Sequence, residues 1–139
     1  RPLEPEGFGF QLIGQEPLDI PGLGCLQARV ADAPEGEDRW TAEFDADRVK
    51  FPLIVRSFKL GDAFQPSGMA GRKKLKELFI DRKIDRFWRC RIPLVTTHGG
   101  EIIWVVGVRR SELFRPRTGK GQVLKLTFRP ENAFKNLSL

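Results

Sequence analysis

A mostly-β α+β fold, with seven or so strands around one short helical insertion, is the class this sequence predicts. Three observations predict it. Apolar residues alternate with polar ones at Trp40, Ala42 and Phe44, and again at Leu124, Leu126 and Phe128, the period of a half-buried strand. Glycine and proline punctuate the chain between such runs. One stretch alone, with Leu75, Leu78 and Phe79, switches to the i, i+3, i+4 spacing of a helix face. The chain has 139 residues, 40% of them apolar, which fits one domain with a real core.

Taken in order, residues 1–22 are rich in Gly and Pro and read as a linker holding one short strand, about Phe8–Ile13. Leu23–Val30 is the next strand, and Ala33–Asp38 is an exposed loop. The alternation at Trp40–Asp45 puts Thr41, Glu43 and Asp45 on the polar face of a strand. Leu53–Phe58 follows Pro52 as a strand, and Gly61–Gly71 is a loop in which Asp62 caps local amides. A helix is expected to begin near Arg72, freed by Gly71. A second short helix takes Asp85 as N-cap and Arg86–Arg91 as its body, and Pro93 stops it. Leu94–Thr97 and Glu101–Val108 form a hairpin about His98-Gly99-Gly100, where glycine supplies positive φ. Ile102–Val108 lacks alternation, so it is expected to be buried on both faces. Gln122–Phe128 is the last strand. The domain proper is assigned to 23–129, and 130–139 to a weakly ordered tail.

The charge is unevenly spread. Residues 1–47 hold 3 cations against 11 anions, a net of −8, whereas residues 48–139 hold 21 against 7, a net of +14. Arg72–Arg91 alone carries 9 cations and 3 anions. Gathering like charges is costly without a counter-charge, so such a patch points to a polyanion, of which nucleic acid is the commonest. The other reading of the patch is a solvated helical surface. A membrane partner is not expected: the longest uncharged apolar run, Ile102–Val108, has seven residues, and no signal peptide is visible. Two cysteines, Cys25 and Cys90, suit a reducing compartment. The chain begins at Arg1, not Met, and is expected to be part of a longer protein.

No residue nominates itself for catalysis or metal binding. His98 sits in a turn without a partner base, and one His with two distant cysteines makes no zinc spacing. Thr118-Gly119-Lys120-Gly121 lacks the frame of a Walker A loop. Gly68-Met69-Ala70-Gly71 matches a GXXG phosphate clamp, but a strand and loop precede it where a KH domain has a helix. What survives is a helix start at Arg72 whose free amides, dipole and cations would hold a phosphate. Among the aromatic residues, Phe79 and Trp104 read as core, and Trp88 stays open as a surface for base stacking.

Four motifs in order then resemble one family. Val55-Arg56-Ser57-Phe58-Lys59-Leu60-Gly61-Asp62-Ala63-Phe64-Gln65-Pro66-Ser67-Gly68-Met69 resembles the opening of the C-terminal substrate-recognition domain of bacterial tRNA(Ile)-lysidine synthetase. Gly71–Ile84 is similar to its KKLKDFFID-K segment, and Arg86 with Arg89-Cys90-Arg91-Ile92-Pro93-Leu94 to its R…R-IPLL segment. Gly100–Arg109 with Ser111-Glu112 resembles its GEIIWVVG-R-SERF run. The likeness covers about residues 44–115, with Ala63 and Leu113 standing where the family usually has Arg.

The resemblance implies a β-sandwich or barrel of SH3-like topology with a two-helix basic insertion, similar to a domain of the phenylalanyl-tRNA synthetase β subunit. It implies a non-catalytic module that grips the acceptor stem of tRNA(Ile). An N-terminal PP-loop domain of the same protein would use ATP and Mg to ligate lysine to C2 of the wobble cytidine; no SGGxDS motif occurs here. The resemblance also implies a cytoplasmic setting and, as in some family members, a homodimer. The residues expected to hold the RNA are Arg56, Lys59, Gly71, Arg72, Lys73, Lys74, Lys76, Arg82, Lys83, Arg86 and Arg89. Two rival readings are a stand-alone RNA-binding module and a structural interdomain module whose basic face meets the acidic residues of 1–47.

Overall fold

The alternation of apolar residues is realised most fully where β3 (Gly24–Ala31) pairs antiparallel with β11 (Val123–Pro130) over eight residues, from Val123 opposite Ala31 to Pro130 opposite Gly24. The computed structural model describes residues 7–119 and 121–137. Residues 1–6 of the expected linker, Lys120 of the Thr118–Gly121 run and the last two residues of the expected tail lie outside them. The other strands are β1 (Gly9–Leu12), β2 (Leu18–Ile20), β4 (Thr41–Asp45), β5 (Leu53–Arg56), β6 (Ala63–Phe64), β7 (Lys73–Lys74), β8 (Leu94–Thr97), β9 (Ile102–Val105) and β10 (Arg109–Arg110). Three short helices are α1 (Leu75–Asp81), α2 (Arg86–Arg89) and α3 (Asn132–Lys135).

The strands form a five-stranded sheet, β1-β5-β8-β9-β10, a four-stranded sheet, β2-β3-β11-β4, and a small β6-β7 pair. Every pairing is antiparallel. One apolar core joins the two large sheets: Leu26, Phe44, Leu126 and Phe128 come from one, and Leu53, Val55, Leu94 and Trp104 from the other. Leu75, Leu78 and Phe79 of α1 plug into the same core, as their helical spacing predicts. The insertion that carries the cations is thereby anchored by its apolar face, and its polar face is left outward.

Several expectations are corrected. Glu43 and Asp45 are buried, at 3% and 1% exposure, where alternation placed them in solvent. The 33–38 loop folds over Glu43, whose carboxylate accepts hydrogen bonds from the Glu35 and Gly36 amides at 2.7 and 3.1 Å. Asp45 is covered by the segment after β10, which brings Arg117 to 3.1 Å. The strand expected over Glu101–Val108 stops at Val105 and turns back at Gly107 into β10. Gly107 has φ +77°, and a Cβ there would lie 2.7 Å from the Trp40 ring, so only glycine fits. Leu18–Ile20, read as linker, is an edge strand on β3. The tail contains α3, whose Phe134 is fully buried against Trp40, Phe128 and Trp88. Trp88, left open for base stacking, is therefore half-buried and stacked on Phe134 at 5.7 Å and 20°. Among the described residues no helix is long and apolar enough to cross a membrane.

Candidate nucleic-acid interface

The expected helix start at Arg72 is the main correction to the site. Arg72, Lys73 and Lys74 precede the helix, and Lys73 and Lys74 form β7 opposite Phe64 and Ala63. The helix begins at Leu75, whose amide donates to the Asp62 carbonyl at 2.9 Å. A donor already engaged inside the protein is not offered to a phosphate. The first helix amide is therefore not free, and Arg72, Lys73 and Lys74 present their side chains ahead of the helix.

Those side chains fall into two groups. Arg56 is turned inward: its guanidinium makes a two-pronged contact with the Asp62 carboxylate at 2.8 and 2.9 Å, and both side chains are largely covered. Asp62 also accepts from the Lys59 amide at 2.7 Å, the local capping expected of it. Burial of Asp62 opposes ionisation, but Arg56 and the Lys59 amide outweigh it and hold the carboxyl below its ordinary pKa. Lys73 is paired with Asp81. Among the described residues the other eight cations, Lys59, Arg72, Lys74, Lys76, Arg82, Lys83, Arg86 and Arg89, have no carboxylate within ion-pair distance. Six of these eight are exposed, and Arg82 and Arg89 are half-buried. Arg72 and Arg89 are steadied by backbone carbonyls, those of Ala63 at 3.0 Å and Ile84 at 2.8 Å. Asp85 caps α2 through the Phe87 amide at 2.8 Å, as predicted, and so orients Arg86 and Arg89.

Gly71 itself has neither a positive φ nor a neighbour within 4 Å of a Cβ position, so the fold makes no demand for glycine there. The loop before it is strapped to β10 and its continuation. The Ser67 amide donates to Arg110 O at 3.0 Å, the Glu112 amide to Gln65 O at 2.8 Å, and Arg109 Nε to Ser67 Oγ at 3.1 Å. The Glu112 carboxylate accepts from the Gly68 amide at 2.8 Å. Arg109 and Glu112 were absent from the residues expected at the site, although both fall in the family-like run around β10, Arg109 within that strand and Glu112 two residues beyond it. The Arg115 guanidinium and the Gly68 amide hold the Glu112 pKa down to about 2 from 4.5. A depressed carboxyl contributes stability above its unfolded pKa and loses it as pH falls through the folded value. Thermal midpoints taken from pH 5 down to pH 2 are expected to drop more for the native chain than for Glu112→Gln, with the divergence between about 4.5 and 2.

Lys83, one of the residues expected at the site, also has a structural role. It ends α1 with φ +55°, its amide donating to Ile80 O at 3.0 Å while the Ile84 amide donates to Phe79 O at 2.9 Å. That is a Schellman cap, a position that favours glycine. A lysine there costs about 1 kcal/mol of backbone strain. Lys83→Gly is expected to raise stability by about 0.5–1 kcal/mol and, if the side chain meets a phosphate, to lower the salt slope of RNA binding by about one. Urea titration and binding isotherms read the two effects separately.

With this geometry in view, the relatives of the chain give its site a context. The family described as TilS substrate C-terminal domain matches residues 53–126. The chain is 44% identical over 116 residues to the tRNA(Ile)-lysidine synthase of Caldanaerobacter subterraneus subsp. tengcongensis, covering 81% of this chain and 25% of that protein. It is 37% identical over 107 residues to the tRNA(Ile)-lysidine synthase of Bacillus subtilis, covering 75% and 23%. It thus spans about a quarter of the length of these curated relatives. A solved structure described as a TilS C-terminal domain superposes with a TM-score of 0.82 at 29% identity, covering 91% of this chain and 99% of that one. The antiparallel two-sheet fold, the cationic insertion and the family match over more than half the chain agree: this chain belongs to the TilS substrate C-terminal domain family.

Proposed function

We propose that this chain is the RNA-gripping module of a tRNA(Ile)-lysidine synthase, holding the acceptor stem of tRNA(Ile) while a distant domain does the chemistry. The observation that carries this reading is that, among the described residues, eight of the ten expected cations have no carboxylate within ion-pair distance, Arg56 and Lys73 being the two that are paired. The acidic segment of 1–47 spends its described ion pairs elsewhere: Glu35 on Arg29 and Lys125, Glu37 on Arg110, and Asp45 on Arg117. None of these carboxylates reaches the strip, which weighs against a module that neutralises its own basic face. An A-form stem offers phosphates along both edges of a shallow minor groove. Lys59, Arg72, Lys74 and Lys76 suit one edge, and Arg82, Lys83, Arg86 and Arg89 extend the contact. Phosphate contacts position the stem, and base-edge contacts specify it.

The reading brings with it an SH3-like arrangement of the two sheets, as in a domain of the phenylalanyl-tRNA synthetase β subunit. It also brings an N-terminal PP-loop domain that binds ATP and Mg, a cytoplasmic setting, and pairing of two copies as in some family members. The test is binding of the 139-residue chain to tRNA(Ile) and elongator tRNA(Met) across a salt series. About six neutralised phosphates predict a log–log slope of roughly −5. Weak binding to both RNAs without salt dependence would overturn the proposal.

A further inference from the structure

Phe87 is exposed at 54% in the middle of the cationic strip, one residue from Arg86. Exposing a large aromatic ring to water is unfavourable unless something covers it. One face is already occupied: the Arg91 guanidinium lies 3.7 Å from the ring centroid, and its Nη1 donates to the Phe87 carbonyl. Trp88 meets the ring edge-on at 5.4 Å and is itself locked on Phe134. Phe87 is thus a rigid platform, backed by a cation and held by the core through Trp88 and Phe134. Arg91 was outside the residues expected at the site, and the structure places it at a junction. It also lines an open, mainly apolar cleft of about 410 Å³, walled by Phe8, Phe10, Ile20 and Leu23, with the Cys90 thiol beside it.

A duplex keeps its base faces stacked on one another, so a flat aromatic platform with a guanidinium gains nothing from the side of a stem. An unpaired nucleotide exposes a π-face, and base–aromatic stacking tolerates any base. The apolar cleft next to Arg91 offers a further base a dry wall, with the guanidinium available to a phosphate between the two. We propose that Phe87, Arg91 and the adjoining Phe8–Phe10 cleft form a subsite for unpaired nucleotides that continue from the bound stem. The proposal rests on the RNA-binding reading above and adds a second class of contact to it, stacking in place of phosphate pairing.

The test uses one RNA stem-loop in two forms, blunt-ended and with a single-stranded 3′ extension. The native chain is expected to bind the extended form about 5- to 150-fold more tightly, the range that one stacked base supplies. Phe87→Ala should abolish that preference and leave blunt-stem affinity unchanged, whereas Phe87→Trp should retain the preference. Phe87 is surface-exposed, so the variants are expected to fold, and circular dichroism checks this. Equal binding of both forms by the native chain, or a Phe87→Ala loss that falls equally on both, would overturn the subsite. Failure of the native chain to bind either form would instead overturn the RNA-binding reading.

Discussion

Replacing Arg110 by alanine is expected to cost about 3–5 kcal/mol of stability, because it leaves three backbone carbonyls around a buried guanidinium without their donor, at about 1–3 kcal/mol each. Arg110 is 8% exposed on β10, in the five-stranded sheet, and its guanidinium is spent across the gap to the other sheet. It pairs with Glu37 and donates to the Glu43 carbonyl on β4, to Ser111 O at 2.7 Å and to Leu113 O at 3.1 Å. The guanidinium carbon lies 4.3 Å from the centroid of the buried Phe44 ring. Burial pulls its pKa below the ordinary value, and Glu37 opposes that pull. Alanine would leave three carbonyls short of a donor and Glu37 without its cation, each at a desolvation cost. Arg110→Lys is expected to recover little, since a point charge cannot serve a fork of four acceptors. Glu37→Gln should cost only about 1 kcal/mol, because that carboxylate is partly solvated. Urea midpoints of the three variants test the ordering. A cost below about 1 kcal/mol for Arg110→Ala would show that the sheets are joined by apolar packing alone. With a typical domain stability of about 5–15 kcal/mol, a loss at the upper end would leave the chain close to unfolding.

What was legible in the sequence was whatever depends on near neighbours along the chain. The apolar face Leu75, Leu78 and Phe79, the Asp85 cap and the hairpin at Gly100 are decided within a few residues, and each is found in the structure. What was not legible depends on segments that meet only in three dimensions. The buried Glu43 looked like a solvent-facing residue because nothing local announces that the 33–38 loop will cap it. Phe134 looked like tail because its burial needs Trp40 and Trp88, which are 94 and 46 positions away in the chain. The helix start moved from Arg72 to Leu75 because β6 captures β7 and the Asp62 carbonyl captures the first amide. At the site the same division holds. The abundance of cations was visible in composition, but which of them are consumed by the fold was not. Arg56 and Lys73 could be separated from their neighbours only once Asp62 and Asp81 were placed beside them. Arg91 and Phe87 show the converse: a cation and an aromatic four residues apart become one feature because the turn that ends α2 folds the guanidinium back over the ring.

That division between consumed and free cations yields the largest expected effect on binding. Lys76 and Arg86 are both exposed and both lack a carboxylate partner among the described residues. Each phosphate contact releases about 0.9 counterion from a duplex, so at 0.1 M salt one contact is worth roughly tenfold in affinity. The double reversal Lys76→Glu with Arg86→Glu is therefore expected to weaken tRNA binding about 10²-fold at that salt, and to flatten the slope from roughly −5 to roughly −3. Neither side chain is part of the core, so the urea midpoint should stay where it is. A reversal of the same net charge placed away from the insertion, Lys50→Glu with Arg129→Glu, separates a local interface from a general attraction. Both of these residues are exposed, Lys50 beyond β4 and Arg129 on β11. A small loss there beside a large loss at Lys76 and Arg86 places the phosphates on α1 and α2. Equal losses from the two pairs would mean that net charge alone draws the RNA, and the strip would lose its standing as a site.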